Sequence, residues 1–295
     1  MNPVIDIARL RKSYGKYEAL RGIDLDVRPG EVYGFLGPNG AGKSTTIRIL
    51  LDEIRASAGS AQLFGLDSRR DAVEIHRRLG YLPSDLALYP KMTGRDSLKF
   101  FARLRGGVDQ AYVDELAERF DATLDKRTGE LSTGNRQKIG LIAAFMHKPE
   151  LLIMDEPNAG LDPLVQHEFQ SLVREVADEG RTVFLSSHTL SEVQRVADRV
   201  GIIRHGEMVA VEDIDDLRAV RKVTMLVEPK PDPADFAAVD GARDIVVNEN
   251  HVHLSFDGEL GSLLQAVGSK YRILDLSASD ADLEEVFLAF YQDPR

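Results

Sequence analysis

The segment Gly37-Pro-Asn-Gly-Ala-Gly-Lys-Ser44 constrains this chain more than any other. It matches the pattern G-x-x-x-x-G-K-[ST], and it lies between the apolar run Val32–Leu36 and a helical pattern over Ser44–Leu51, the context such a match requires. Glycines let successive backbone N–H groups turn inward around a phosphate, and the helix N-terminus adds partial positive charge. The phosphate-binding set is therefore Gly37, Pro38, Asn39, Gly40, Ala41, Gly42, Lys43, Ser44 and Thr45. Lys43 is expected at the β- and γ-phosphates of a nucleotide and the Ser44 hydroxyl on Mg²⁺. A glycine-rich turn arising by chance is the plainer alternative, and the flanking strand and helix argue against it.

A second segment fits the same chemistry. Leu151-Leu-Ile-Met-Asp155-Glu156 is a short apolar strand ending in two carboxylates. That ending puts Asp155 at the C-terminal edge of a parallel sheet, where nucleotides bind in open α/β folds. Asp155 is expected in the Mg²⁺ shell, and Glu156 as the general base for an attacking water. A third segment, Leu131-Ser-Thr-Gly-Asn135, starts a helix with Ser132 as its cap. Alone, these two segments could be two acids closing a strand and an ordinary helix cap.

The remaining pattern is α/β. Strand signals at Val4–Leu10 and Ile23–Val27 precede the loop, and a helical insert follows around Arg95–Phe120. Asp162-Pro163 opens a helix whose buried stripe is Val165, Phe169, Leu172, Val173 and Val176. Thr182–Leu185 reads as a strand and Val200–Val211 as a hairpin turning near His205-Gly206. A boundary is expected near residue 220. Beyond it, past a run with Pro229, Pro231 and Pro233, the order is strand, short helix, two strands, helix, strand, helix, which suggests a ferredoxin-like α+β module.

Composition narrows the function classes. Among 295 residues there is no cysteine, which excludes disulfides, thiolate metal sites and cysteine nucleophiles. The net charge is −11, with −7 of it in residues 220–295, so a broad basic face for nucleic acid is not expected. Apolar runs such as Leu141–Met146 are far below the roughly 20 residues of a membrane-spanning helix. No direct membrane span is expected, nor is a secretory signal at the N-terminus. His251 and His253 share a strand face, but two histidines without a third ligand read as exposed strand positions.

Taken together, residues 4–219 resemble the nucleotide-binding subunit of an ATP-binding cassette transporter, through Tyr14, the phosphate loop, Leu131–Asn135, Leu151–Pro157, Ala159-Gly-Leu-Asp162 and His188. The resemblance implies a P-loop NTPase cassette: a RecA-like α/β core, an antiparallel β subdomain and a helical subdomain over about 85–145. The small α+β domain at 220–295 completes the expected architecture. It also implies ATP and Mg²⁺ as ligands, and two subunits facing head to tail with each ATP between them. Ser132, Gly134 and Asn135 would then meet the opposite chain's ATP. Tyr14 would stack on adenine, Asp162 would lie at the dimer interface, and His188 would contact the γ-phosphate and position Glu156. Residues 85–101 would dock a separate membrane permease, placing the subunit on the cytoplasmic face of the membrane.

Two positions depart from the family pattern. Thr133 and Asn135 replace a glycine and the glutamine of the usual LSGGQ. After Tyr81-Leu-Pro the family carries a glutamine that reaches Mg²⁺ and the water; here Ser84 stands there, and its shorter side chain points to slower hydrolysis. Layout and C-terminal module are similar to ABC-2 type exporters, among them drug and antibiotic efflux ATPases. The competing readings are a soluble cassette ATPase acting on ribosomes or DNA, and a regulatory module that binds ATP with little turnover. Retention of Glu156, Lys43 and His188 weighs against the second.

Overall fold

A computed structural model describes residues 2–280. The chain forms two compact units, one ending at Val211 and the other beginning at Glu212.

The first unit opens with β1 (Ile5–Tyr14), β2 (Tyr17–Val27), β3 (Val32–Leu36) and α1 (Lys43–Leu50). Then come β4 (Ala58–Leu63), β5 (Leu66–Asp67), α2 (Ala72–Arg78) and β6 (Leu79–Leu82). Three helices follow: α3 (Gly94–Leu104), α4 (Gln110–Arg119) and α5 (Thr133–Phe145). The unit continues with β7 (Leu151–Asp155), α6 (Pro163–Asp178), β8 (Thr182–Ser187), α7 (Leu190–Val193), β9 (Arg199–Arg204) and β10 (Glu207–Asp213), whose last two residues fall to the second unit.

Six strands form one sheet in the order β10-β9-β3-β8-β7-β6, parallel from β9 through β6. Every residue of β3, β7 and β8 is buried, as strands covered on both faces require. A second sheet, β2-β1-β4-β5, is antiparallel. Between them α1 contributes Ile47, Ile49 and Leu50 to one core with Ile5, Leu10 and Leu63 of the antiparallel sheet and Phe35, Ile153 and Phe184 of the parallel one. Each such side chain contributes about 1.5–3 kcal/mol by leaving water, so the loop preceding α1 is anchored by a buried core.

The helical stretch expected around Arg95–Phe120 is two helices. It breaks at Gly106 and Gly107, both at positive φ (+81° and +112°), a conformation glycine adopts without steric cost. Thr93 caps α3 by accepting from the Asp96 N–H, and Asp109 caps α4 by accepting from the Ala111 N–H. On α6, Val165, Phe169, Leu172, Val173 and Val176 are all buried, and Phe169 meets Phe145 of α5 edge-on at 6.4 Å.

The second unit contains α8 (Ile214–Ala219), β11 (Val220–Glu228), α9 (Pro233–Ala237), β12 (Ala242–Asn248), β13 (His251–Asp257), α10 (Leu260–Gly268) and β14 (Arg272–Asp280). Its strand order β12-β13-β11-β14, antiparallel throughout, is the ferredoxin-like arrangement. Alternate residues Val223, Met225 and Val227 of β11 and Val252, Leu254 and Phe256 of β13 form a core with Phe236, Leu263 and Val267. The division between units precedes Val220 because α8 belongs to the second unit; the proline-rich run falls inside that unit, between β11 and α9. The final helix expected from the sequence lies outside the described residues.

Candidate nucleotide site

The loop 37–42 leaves the end of β3 and is held by its main chain. Gly37 N–H donates to Ser187 O (3.2 Å), Ala41 N–H to Pro38 O (3.1 Å), and Gly206 N–H to Ala41 O (2.9 Å). Two glycines are sterically required: a Cβ on Gly37 would stand 2.4 Å from Ile203 O, and one on Gly42, at φ +118°, 2.7 Å from Leu20 Cδ2. The Lys43 side chain, only 6% exposed, donates from Nζ to Gly37 O at 2.6 Å.

The β7 end brings two carboxylates to this loop. Asp155 is buried, and its Oδ1 accepts from the Ser186 hydroxyl at 2.5 Å. Ser186 in turn accepts the Glu156 N–H at 3.1 Å, so one serine fixes both acids. Glu156 sits at φ +52°, a left-handed conformation that costs a non-glycine residue about 1 kcal/mol or more. Its Oε1 lies 3.3 Å from Lys43 Nζ and its Oε2 2.8 Å from His188 Nδ1.

Glu156 and Lys43 border a cleft of about 410 Å³ that also includes Tyr14, Tyr17, Ser44, Thr45 and Ser84. Tyr14 and Tyr17 are cross-strand partners at the β1–β2 turn, where Gly15 adopts φ +61°. Lys12 Nζ stands 4.8 Å from the Tyr14 ring centroid, against an aromatic that is 47% exposed. Tyr14, the phosphate loop, Ser84 and Glu156 are thus brought together. The oxygen donors Ser44 and Asp155 suit Mg²⁺, which keeps waters and substrate phosphates as most of its ligands.

The Leu131–Asn135 segment is ordered by its own chain. Ser132 Oγ accepts the Asn135 N–H at 3.2 Å and caps α5. The Asn135 amide makes two bonds of 2.9 Å to the Thr123 main chain, Oδ1 accepting from N–H and Nδ2 donating to O. Gly134 packs so closely on Gly160 that a Cβ would stand 2.3 Å from Gly160 O. Asp162 caps α6, its Oδ1 accepting the Val165 N–H at 3.1 Å, while Oδ2 lies 3.7 Å from Lys138 Nζ. The Val165 N–H and the Lys138 ammonium hold the Asp162 carboxyl below the usual range.

Sequence reasoning missed Ser186, Tyr17 and Gln137. Ser186 had none, since its place beside Asp155, 31 positions away, comes from the register of two strands. Tyr17 could have been found from the hairpin turn at Gly15. Gln137, which donates to Pro157 O at 3.1 Å, had none.

Comparisons with known proteins agree with this geometry. The ABC transporter family profile matches residues 20–159. The bacitracin transport ATP-binding protein BcrA of Bacillus licheniformis is 32% identical, over 98% of this chain and 97% of its own. The linearmycin resistance ATP-binding protein LnrL of Bacillus subtilis is 30% identical, over 97% of each chain. The fold superposes on the dimeric cassette MJ0796 bound to ADP and phosphate with a TM-score of 0.66, at 19% identity, covering 71% of this chain and 98% of the other. With Lys43, Asp155, Glu156 and His188 arranged around one phosphate-binding loop, the chain belongs to the ABC transporter family, as an ATP-binding subunit.

Proposed function

We propose that two copies of this chain close on two MgATP molecules and that hydrolysis reopens them, driving export of an antibiotic or similar drug through a separate permease. The observation that carries this reading is the division of Glu156 between Lys43 and His188. Glu156 takes the proton of a water that attacks the γ-phosphorus, the bond to the β-phosphate oxygen breaks, and ADP and phosphate leave. His188 holds the carboxylate in line, and Lys43 neutralises charge on the transferred group. Bound Mg²⁺ supplies further neutralisation of the phosphates; Ser44 and Asp155 would hold it. Ser132 and Gly134 of the facing chain complete the phosphate cage. The cargo class follows BcrA, a bacitracin transport protein, and LnrL, a linearmycin resistance protein, whose similarity covers 98% and 97% of this chain.

The permease contact is assigned to α3 and the groove at its end. Phe100 and Leu104, one helical turn apart, are 38% and 69% exposed, and Tyr89 packs edge-on against Phe100 at 6.0 Å. A groove of about 780 Å³ beside Leu104 is floored by Leu51 and Leu79 and flanked by Val73, 72% exposed. Among the described residues no helix is long and apolar enough to cross a membrane. We place the subunit on the cytoplasmic face of that membrane. Phosphate release from MgATP by the purified chain tests the enzyme, and co-purification with a polytopic permease, lost in Leu104→Glu, tests the partner. Absence of both would return the chain to a non-transport ATP-binding role.

A further inference from the structure

The start of α5 and the loop that follows Glu156 are joined at three successive points. Gly134 abuts Gly160, where no Cβ fits. Gln137, 5% exposed, donates from Nε2 to Pro157 O at 3.1 Å. Lys138, 9% exposed, reaches Asp162 at 3.7 Å and donates to Asp121 O at 3.2 Å. The loop between is itself stiff, with Ala159 N–H on Glu156 O (3.1 Å) and Leu161 N–H on Asn158 O (3.2 Å).

Glu156 sits at φ +52°, a conformation that does not persist unless its surroundings impose it. On its N-terminal side the constraint is Ser186, which accepts the Glu156 N–H. On its C-terminal side it is the Pro157 carbonyl, one peptide away, held by Gln137. A displacement of α5 therefore reaches the backbone of Glu156 through a buried hydrogen bond and one proline.

We propose that Gln137 is a positioning residue that carries the state of the Ser132–Gly134 turn to Glu156 of the same chain. This rests on the two-chain reading above, in which that turn meets the nucleotide bound by the facing subunit. The consequence is that occupancy of one site sets the aim of the base in the other, so hydrolysis depends cooperatively on ATP. The hydrogen bond supplies direction: Pro157 O is a buried acceptor, and a side chain of equal length without a donor leaves it unsatisfied.

The test is Gln137→Met in the full chain, which preserves length and removes the donor. Expected are a kcat for MgATP about tenfold lower, ATP binding within about twofold of the parent, and a Hill coefficient falling from above one towards one. Parental kcat and Hill coefficient in this variant would overturn the proposal. Lys138→Met, which cuts the outer tether to Asp162 together with the bond to Asp121 O, is expected to lower the Hill coefficient with a smaller fall in kcat, and it decides the matter if Gln137→Met does not fold. Light scattering of the Glu156→Gln chain with MgATP separates the two levels. No dimer there defeats the two-chain reading and this inference with it. A dimer, combined with an unchanged Gln137→Met enzyme, defeats the coupling alone.

Discussion

His188 Nδ1 lies 2.8 Å from Glu156 Oε2, while Lys43 Nζ lies 3.3 Å from the other carboxylate oxygen. The Glu156 carboxylate is therefore flanked on both sides by residues of one chain. His188 is 56% exposed and Lys43 is 6% exposed, so the histidine lies at the surface while the lysine is buried against the loop.

Glu156→Gln removes the proton acceptor but keeps the shape. Phosphate release is expected to fall at least about 100-fold, with ATP binding retained and a MgATP-dependent dimer accumulating in size-exclusion chromatography. Parental turnover would remove Glu156 from the role.

Lys43→Ala removes the charge that the loop carbonyls hold in place. Hydrogen bonds to charged groups contribute about 1.5–3 kcal/mol, so titration with a fluorescent ATP analogue should show affinity weaker by about 10–100-fold. An unchanged titration contradicts the assignment.

Asn135→Ala separates two readings of that residue. Both bonds of its amide go to Thr123 in this structure, so the melting temperature should drop, corresponding to about 1–2 kcal/mol, with KM for ATP held. A raised KM at unchanged stability would put the amide on the nucleotide.

Ser84→Gln restores reach into the cleft that Ser84 lines with Glu156. An added hydrogen bond of about 1 kcal/mol in the transition state corresponds to roughly fivefold in kcat. Steady-state phosphate release reads this directly, and a slower variant shows that the cleft is fitted to serine.

His147 predicts a pH dependence of stability. Burial, reinforced by Arg105, lowers its pKa from 6.5 to about 4. Between those values the unfolded chain binds the proton and the folded chain does not, so stability falls as pH drops from 6.5 towards 4 and is fully present above. Allowing for solvent screening the loss is about 1–2 kcal/mol. In His147→Gln, melting temperatures should fall less steeply across that window; an identical slope refutes the assignment.

Motifs with a main-chain mechanism were legible. The Ser132 and Asp162 caps are fixed by N–H groups three residues on, and Gly42 by its own positive φ, so spacing reveals them, whereas the demand on Gly37 comes from the distant Ile203 O. The buried stripe of α6 followed from its period. The break at Gly106-Gly107 was obscured because apolar spacing continues across it. The division before Val220 was obscured because proline marks a turn in the chain and does not by itself mark where contacts end.

The sequence by itself determined the phosphate loop, the strand-end acids, the α/β order and the ferredoxin-like succession, since these depend on periodicity and on residue types that suit one backbone conformation. Tertiary structure alone decided that Ser186 holds both acids, that the Asn135 amide turns to Thr123, and that Gln137 holds the peptide after Glu156. Those bonds join residues 12 to 31 positions apart. Their existence depends on how strands and helices come to rest in space, which no local spacing encodes.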